Sequence, residues 1–459
     1  MLRDGPRTKT RRRVRRAPRE VMLSMKTRTT AAAILLAGAA AGGLFVLQGT
    51  REVEAAPPSA ESLAVEGEIR EKDIALFELR AKQDPFSALD RARLASLYLQ
   101  RSRSTGDFQD VLRAEAAARE SIALREGRNA SARVALASSL IAQHRFQEAR
   151  AIAAGLVAEE PLRPSYRALL GEVQMELGEY EASAASFDTL ALTRKTLAVA
   201  PRAARLEEIR GRTHEARKLL AQAAHDALAR GDLPREQMAW FQMRRGDLEL
   251  RAGKLRHAER AYRDGLAINP EDHRILAGLA RVEVARGRHE RALALHERSI
   301  AQVLDPVILG EMSEIALAMR DTVQAREYAR VATVAASQES GSMHRAWSLF
   351  QLDGGSDPAP IAAEAAADLR TRRDVYGYDL LAWALHRQGR HAEARRAMAG
   401  ALRMGTRDAS LLFHAGMIER ALGNDAAAVR HLSQALEIHP GFHPRHPATA
   451  RAVLDSIGG

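Results

Sequence analysis

Three histidines near the end of the chain, His439, His443 and His446 in HPGFHPRHP, have the chemistry of a transition-metal site. Each neutral imidazole offers one lone pair, and a proline-rich backbone can turn several rings towards one ion. Their spacing matches no established ligand pattern, and no carboxylate follows before Asp455, so the segment reads as a solvated turn. The zinc-helix signature fails as well: His289-Glu290 is followed by Arg291-Ala292-Leu293, without a second histidine. No phosphate loop of the form G-x4-G-K-[ST] and no G-x-S-x-G elbow occurs. With no cysteine in the chain, disulfides, thiol catalysis and thiolate metal sites are excluded. The expectation is a protein without catalysis, metal or cofactor.

The elements that carry these residues are helices. Hydrophobic residues make up 46% of 459 positions, yet only 4% are aromatic, and alanine, the best helix former, supplies much of the rest. Runs alternating at two-residue spacing are nearly absent, which leaves the all-α class. The net charge of +11 is local: residues 1–30 hold eleven Lys or Arg against Asp4 and Glu20. Over the remainder the charges are interspersed along helical faces, so a nucleic-acid surface has no global support.

The N-terminal region is built like a secretory signal. Met25-Lys26-Thr27-Arg28 precedes the uncharged run AAAILLAGAAAGGLFVL, residues 31–47, with small or moderate residues at Val53-Glu54-Ala55 and a linker at Pro57-Pro58-Ser59. The run is shorter than the roughly 20 residues of a comfortable membrane span, which favours cleavage over retention as an anchor. The segmentation is a basic leader at 1–24, which translation from Met22 or Met25 would omit, then a signal or single anchor at 25–55. A linker and leading helix at 56–83, a repeat array at 84–440 and a capping helix and tail at 441–459 follow.

Within that array one feature recurs: a glycine, then five positions on a small residue. It appears at Gly178/Ser183, Gly211/Ala216, Gly253/Ala258, Gly287/Ala292, Gly389/Ala394 and Gly423/Ala428. His144 before Ala149 and Arg320 before Ala325 stand in the glycine place. The small residues are 34, 33, 42, 34, 33, 69 and 34 positions apart, so the 69 hides a divergent pair near 343–352 and 360–372. Two helices and their tight turns occupy about 34 residues. Glycine ends the first helix by accepting a left-handed conformation, and Pro161, Pro270 or Pro440 stops the second.

This pattern resembles the tetratricopeptide repeat family, in which a repeat reads W-x2-L-G-x2-Y, then A-x3-F, then P. Leu136-Ala137, Leu170-Gly171, Leu279-Ala280, Leu381-Ala382 and Ala415-Gly416 match the first-helix pair. Ser183-x3-Phe187 and Ala258-x3-Tyr262 match the second; Ala292-x3-His296 and Ala428-x3-Leu432 are looser. The resemblance implies a right-handed superhelical solenoid of about ten helix pairs with a C-terminal capping helix. The tail from YDLLAWALHRQGRHAEARRAM to FHAGMIERALG also resembles a bacterial exported subtype without an assigned activity.

In this family the inward faces of the first helices line a concave groove that binds proteins or peptides. That implies groove positions for Trp240, Met243, Asp247 and Arg251 in the middle, and for Tyr376, Trp383, His386, Arg387, Phe413, Met417 and Arg420 near the end. Trp383 has two readings, a groove anchor or a filler between neighbouring helices, whereas Leu381, Leu385 and Leu412 read as core. Asp379 and Trp383 stand where a chaperone-peptide clamp would place a base and Asn. The leading expectation is a non-catalytic scaffold of the bacterial envelope, periplasmic or anchored by residues 31–47, that holds a protein or peptide partner. The alternative is a cytosolic regulator or nucleic-acid-associated adaptor using the basic arm Arg3–Arg19.

Overall fold

Alanine and leucine recurring every three to four residues, punctuated by left-handed turn residues, build helices and little else. The computed structural model describes residues 60–189, 195–230, 232–338 and 345–458; among these it has twenty-two α-helices and no strand. Residues 1–59, with the basic leader and the apolar run, lie outside the described residues, and no described helix is long and apolar enough to cross a membrane.

A leading helix, α1 (Ala60–Gln83), is followed by ten consecutive pairs. The first five are α2 (Ala88–Thr105) with α3 (Phe108–Leu124), α4 (Ala130–Ala142) with α5 (Phe146–Glu159), α6 (Pro164–Glu176) with α7 (Tyr180–Phe187), α8 (Ala200–Ile209) with α9 (Thr213–Leu228), and α10 (Arg235–Arg251) with α11 (Leu255–Ile268). The second five are α12 (His273–Ala285) with α13 (His289–Gln302), α14 (Pro306–Ala318) with α15 (Thr322–Gln338), α16 (Arg345–Asp353) with α17 (Pro358–Asp368), α18 (Val375–Arg387) with α19 (His391–Leu402), and α20 (Ala409–Ala421) with α21 (Asp425–Ile438). A last helix, α22 (His446–Gly458), packs on α20 and α21. The divergent pair expected near 343–372 is α16 and α17. The long 42-residue step, expected as a longer loop around Arg230–Pro234, goes mostly into longer helices, since α9 and α10 have 16 and 17 residues where α11 and α12 have 14 and 13, and the connection between α9 and α10 takes up the rest.

The repeat register is visible in burial and in backbone angle together. Ala149, Ser183, Ala216, Ala258, Ala292, Ala325, Ala394 and Ala428 are at most 2% exposed, each at the contact of its helix pair. The turn glycines before them have φ between +69° and +78°, and His144 (+57°) and Arg320 (+65°) adopt the same conformation without being glycine. A second rule links each first helix to its partner. A Cβ on Gly171 would lie 2.3 Å from Phe187, one on Gly246 2.4 Å from Tyr262, and one on Gly416 2.6 Å from Leu432. The bare backbone of the first helix is the slot that receives the large residue sixteen positions later.

The solenoid coils until its early turns meet its late loops. Arg373 donates its backbone N–H to the Leu177 carbonyl at 3.0 Å, Val375 donates to the Tyr180 hydroxyl at 2.9 Å, and Thr406 Oγ1 donates to the Ile209 carbonyl at 2.5 Å. Gly178, Gly211 and Gly253 therefore serve twice. Beyond their positive φ, a Cβ at each would come within 2.2–2.3 Å of the carbonyl of Arg373, Gly405 or Ile438. Gly287, Gly389 and Gly423 have the same φ but open space around them.

Candidate functional site

The coiling forms a half-open cavity of about 530 Å³. First helices supply most of its wall: Leu250 and Arg251 from α10, Val284 from α12, Val307 and Glu314 from α14, Leu349, Phe350 and Asp353 from α16, and His414 from α20. Its charges on the α10–α14 side are paired. Arg251 bonds to Glu208, Arg244 lies 3.1 Å from Asp247, Tyr262 donates to the other Asp247 oxygen at 2.8 Å, and Arg281 donates to Glu311 at 2.9 Å.

The opposite wall is the chain's own segment 439–446, between α21 and α22. Arg445 donates through Nε and Nη2 to the two oxygens of Glu314, the second at 2.8 Å. Phe442 packs 5.9 Å from the Phe413 ring, and His446 stacks on Phe413 at 4.3 Å. His446 Nε2 lies 3.3 Å from Asp353 Oδ2, while Trp383 Nε1 donates to Asp353 Oδ1 at 2.9 Å. Gly441 lies so close to α12 that a Cβ would meet the Ala285 carbonyl at 2.5 Å. The expected solvated turn is thus a buried one: His439 is 5% exposed and His446 9%. The reason is long-range, because α14, α16 and α20 cover a segment whose own sequence is polar.

Burial sets the protonation. It pushes His439 down to about 4 and lowers His443 and His446, so all three are neutral at pH 7. Burial would raise Asp353, but the bonds from His446 and Trp383 outweigh it and keep the carboxylate below its usual range. Burial also opposes a charge on His414, yet Asp379, 2.9 Å from its Nδ1, raises it.

Asp353, His443 and His446 bring one donor atom each within 4.8 Å of one another. The carboxylate that the sequence lacked locally is therefore supplied from α16. The hydrogen bonding does not suit a metal, however. His443 Nδ1 accepts the backbone N–H groups of Arg445 at 3.1 Å and His446 at 3.3 Å, which places the proton on Nε2, the atom a metal would need. Buried His446 Nδ1 has no acceptor behind it, where ligating histidines usually donate to one. The cluster works as a hydrogen-bonded clasp on the segment.

The sequence profile of the tetratricopeptide repeat family matches residues 134–196, 243–303 and 380–441. These three stretches carry the buried small residues and left-handed turns described above. These stretches are tetratricopeptide repeats. No curated protein matches the sequence. Among solved structures, the array is similar to a tetratricopeptide repeat protein from Parabacteroides merdae, at 15% identity over 52% of this chain and 98% of that one, with a TM-score of 0.36. The pilF protein of Pseudomonas aeruginosa aligns at 17% identity over 48% and 98% of the two chains, with a TM-score of 0.27. The human IFIT1 dimer with m7Gppp-AAAA aligns at 11% identity over 81% and 94%, with a TM-score of 0.44. None of these superpositions is close enough to transfer a site.

Within the tetratricopeptide array the residues singled out from sequence fall into three groups. Asp247 and Arg251 line the cavity. Met243, Trp383 and Phe413 do not face an open groove: they are buried, with Trp383 4% exposed between His386 and His414, to which its ring is stacked, and Phe413 2% exposed. The filler reading of Trp383 is the correct one, because the coiled array and segment 439–446 cover what an open groove would expose. Tyr376 lies under the Arg205 guanidinium, Trp240 packs beside Phe241, and Met417 is half-buried in the core around Trp383. His386 contacts His391, Arg420 pairs with Asp425, and Arg387 is exposed. Glu314, Asp353, His414 and Phe442 carry the site without having been singled out.

Proposed function

We propose that this protein is a non-catalytic scaffold of the bacterial envelope that holds a segment of a partner protein on its concave face. Tetratricopeptide repeats are protein-interaction modules, and the feature that supports this placement is the concave cavity. It is walled by first helices, of a size that side chains of a partner would fill, and mixed apolar and charged as recognition sites are. The basic flank and the apolar residues 31–47 support export.

The test is a photo-cross-linking amino acid at Leu250, in the cavity wall, and separately at Val323, on α15 and 77% exposed, in cells fractionated after irradiation. Adducts from position 250 alone, with the chain in the envelope fraction, are the expected result. Adducts from 323 alone would move binding to the outer face. Recovery from the cytosol, with nucleic acid retained in a salt-sensitive way, would instead favour the Arg3–Arg19 arm.

A further inference from the structure

The clasp on segment 439–446 goes beyond packing, because it rests on charges that must be matched from outside their own helices. Glu314 on α14 is 4% exposed as a residue and is paired with Arg445, with the His443 ring 4.0 Å away. Asp353 at the end of α16 is bonded by Trp383 at one oxygen and meets His446 of the segment at the other. Whatever occupies this face has to bring a cation and an aromatic or imidazole ring. The resident segment does so with Phe442, His443, Arg445 and His446. Its shape is largely its own: Gly441 N–H bonds to His439 Nδ1 at 3.2 Å, and His443 Nδ1 gathers the two amides that start α22. It also leaves the groove underfilled, since about 530 Å³ remains between it and Leu250, Val284, Val307, Leu349 and Phe350.

We propose that the face formed by α14, α16 and α20 is a docking surface for a partner segment with an aromatic residue followed three positions later by arginine. Residues 439–446 are then the resident occupant that such a segment displaces. This rests on the protein-binding reading above and deepens it. The driving asymmetry is the cavity: a segment with larger apolar side chains gains burial that the resident does not have. The opposing term is tethering, because a covalently attached competitor acts at an effective concentration on the order of millimolar. A foreign segment must therefore make more contacts than the resident, or the resident must be weakened.

The experiment uses the full chain and a fluorescent peptide of residues 438–459. Wild type is expected to bind this peptide at least tenfold more weakly than the Arg445→Ala chain, whose own clasp is loosened. A peptide carrying Arg445→Glu is expected not to bind either chain. An Arg445→Ala chain that keeps its helical circular dichroism and binds neither peptide, or both equally, overturns the proposal. Should that variant fail to fold, the cysteine-free sequence allows a second measurement on an otherwise wild-type Leu250→Cys chain. A peptide with leucines in place of His439 and His443 is expected to slow thiol labelling at 250 at least threefold, and unchanged labelling overturns the proposal. Cross-links from position 250 without peptide exchange would defeat this inference alone. Exchange with cross-links confined to 323 would defeat the groove reading of the scaffold alone.

Discussion

Arg445 and Glu314 stand 131 positions apart in sequence and meet through two charge-assisted hydrogen bonds, one of 2.8 Å between Nη2 and Oε1. Removing the guanidinium leaves a buried carboxylate without a counter-ion. Arg445→Ala is expected to lower stability by about 3 kcal/mol, whereas Glu314→Gln, which leaves behind only a guanidinium that is 36% exposed and can be hydrated, costs about 1 kcal/mol. Urea denaturation followed by helical circular dichroism measures both. Equal losses would mean that the pair is too well hydrated to behave as a buried one.

The two kinds of turn glycine separate backbone strain from packing. Alanine at Gly423 meets only its left-handed φ of +74°, and a cost of about 1 kcal/mol is expected. Alanine at Gly253 meets in addition the Ile438 carbonyl, 2.2 Å from where the Cβ would be, and is expected to cost at least about 2 kcal/mol more. Thermal melts of the two variants decide it; similar shifts would show that the late loops give way.

Acid should loosen the clasp. A histidine whose folded pKa lies below its unfolded value of about 6.5 binds fewer protons folded than unfolded, so stability falls as pH drops through that range. His439, held at about 4, accounts for a loss on the order of 3 kcal/mol between pH 6.5 and 4, and His443 and His446 act in the same direction. His414 works oppositely, since its raised pKa adds stability below pH 6.5 that is lost as pH rises through the folded value. Urea midpoints at pH 7.5 and 5.0 test the balance, with a lower midpoint at pH 5.0 expected and a smaller difference in His439→Asn.

His296 occupies the place that Phe187 and Tyr262 fill in other pairs, sixteen positions after Ala280, and is fully buried. Its Nδ1 has no hydrogen-bond partner, its Nε2 is 3.4 Å from a Glu311 oxygen, and burial pushes its pKa down to about 3. His296→Leu is expected to stabilise the chain by about 1 kcal/mol, read as a higher melting temperature, because it removes an unsatisfied polar group from an apolar slot. A lower melting temperature would mean that the imidazole has a role in the packed state.

The repeats were legible because their causes are local. A left-handed turn, a small residue five positions later and a helix stop all lie within one period, and even His144 and Arg320 could be placed in the glycine position. A further local signal went unread: Asp272, Asp305, Asp374 and Asp408 cap the first helices α12, α14, α18 and α20 at the same period. The site was only half legible. Which residues of a first helix share a face follows from helical register, and Asp247 and Arg251 both line the cavity. Whether an inward face stays open depends on how far the array coils, a sum of small rotations between pairs that no single residue encodes. The burial of Trp383 and Phe413 is not legible for that reason, nor are the roles of Asp353 and Glu314, because the histidines they face lie about 90 and 130 positions away.

The contacts of Leu177, Tyr180 and Ile209 with Arg373, Val375 and Thr406 change how this molecule comes apart. In an open stack each unit touches only its neighbours, so the ends fray first and denaturation proceeds inwards. Here early and late segments melt as one, because freeing either end breaks bonds to the other. The same long-range closure delays folding, since chain nearly two hundred residues long must be gathered before those bonds can form. Once formed, they convert a row of modest, separable units into a single cooperative body.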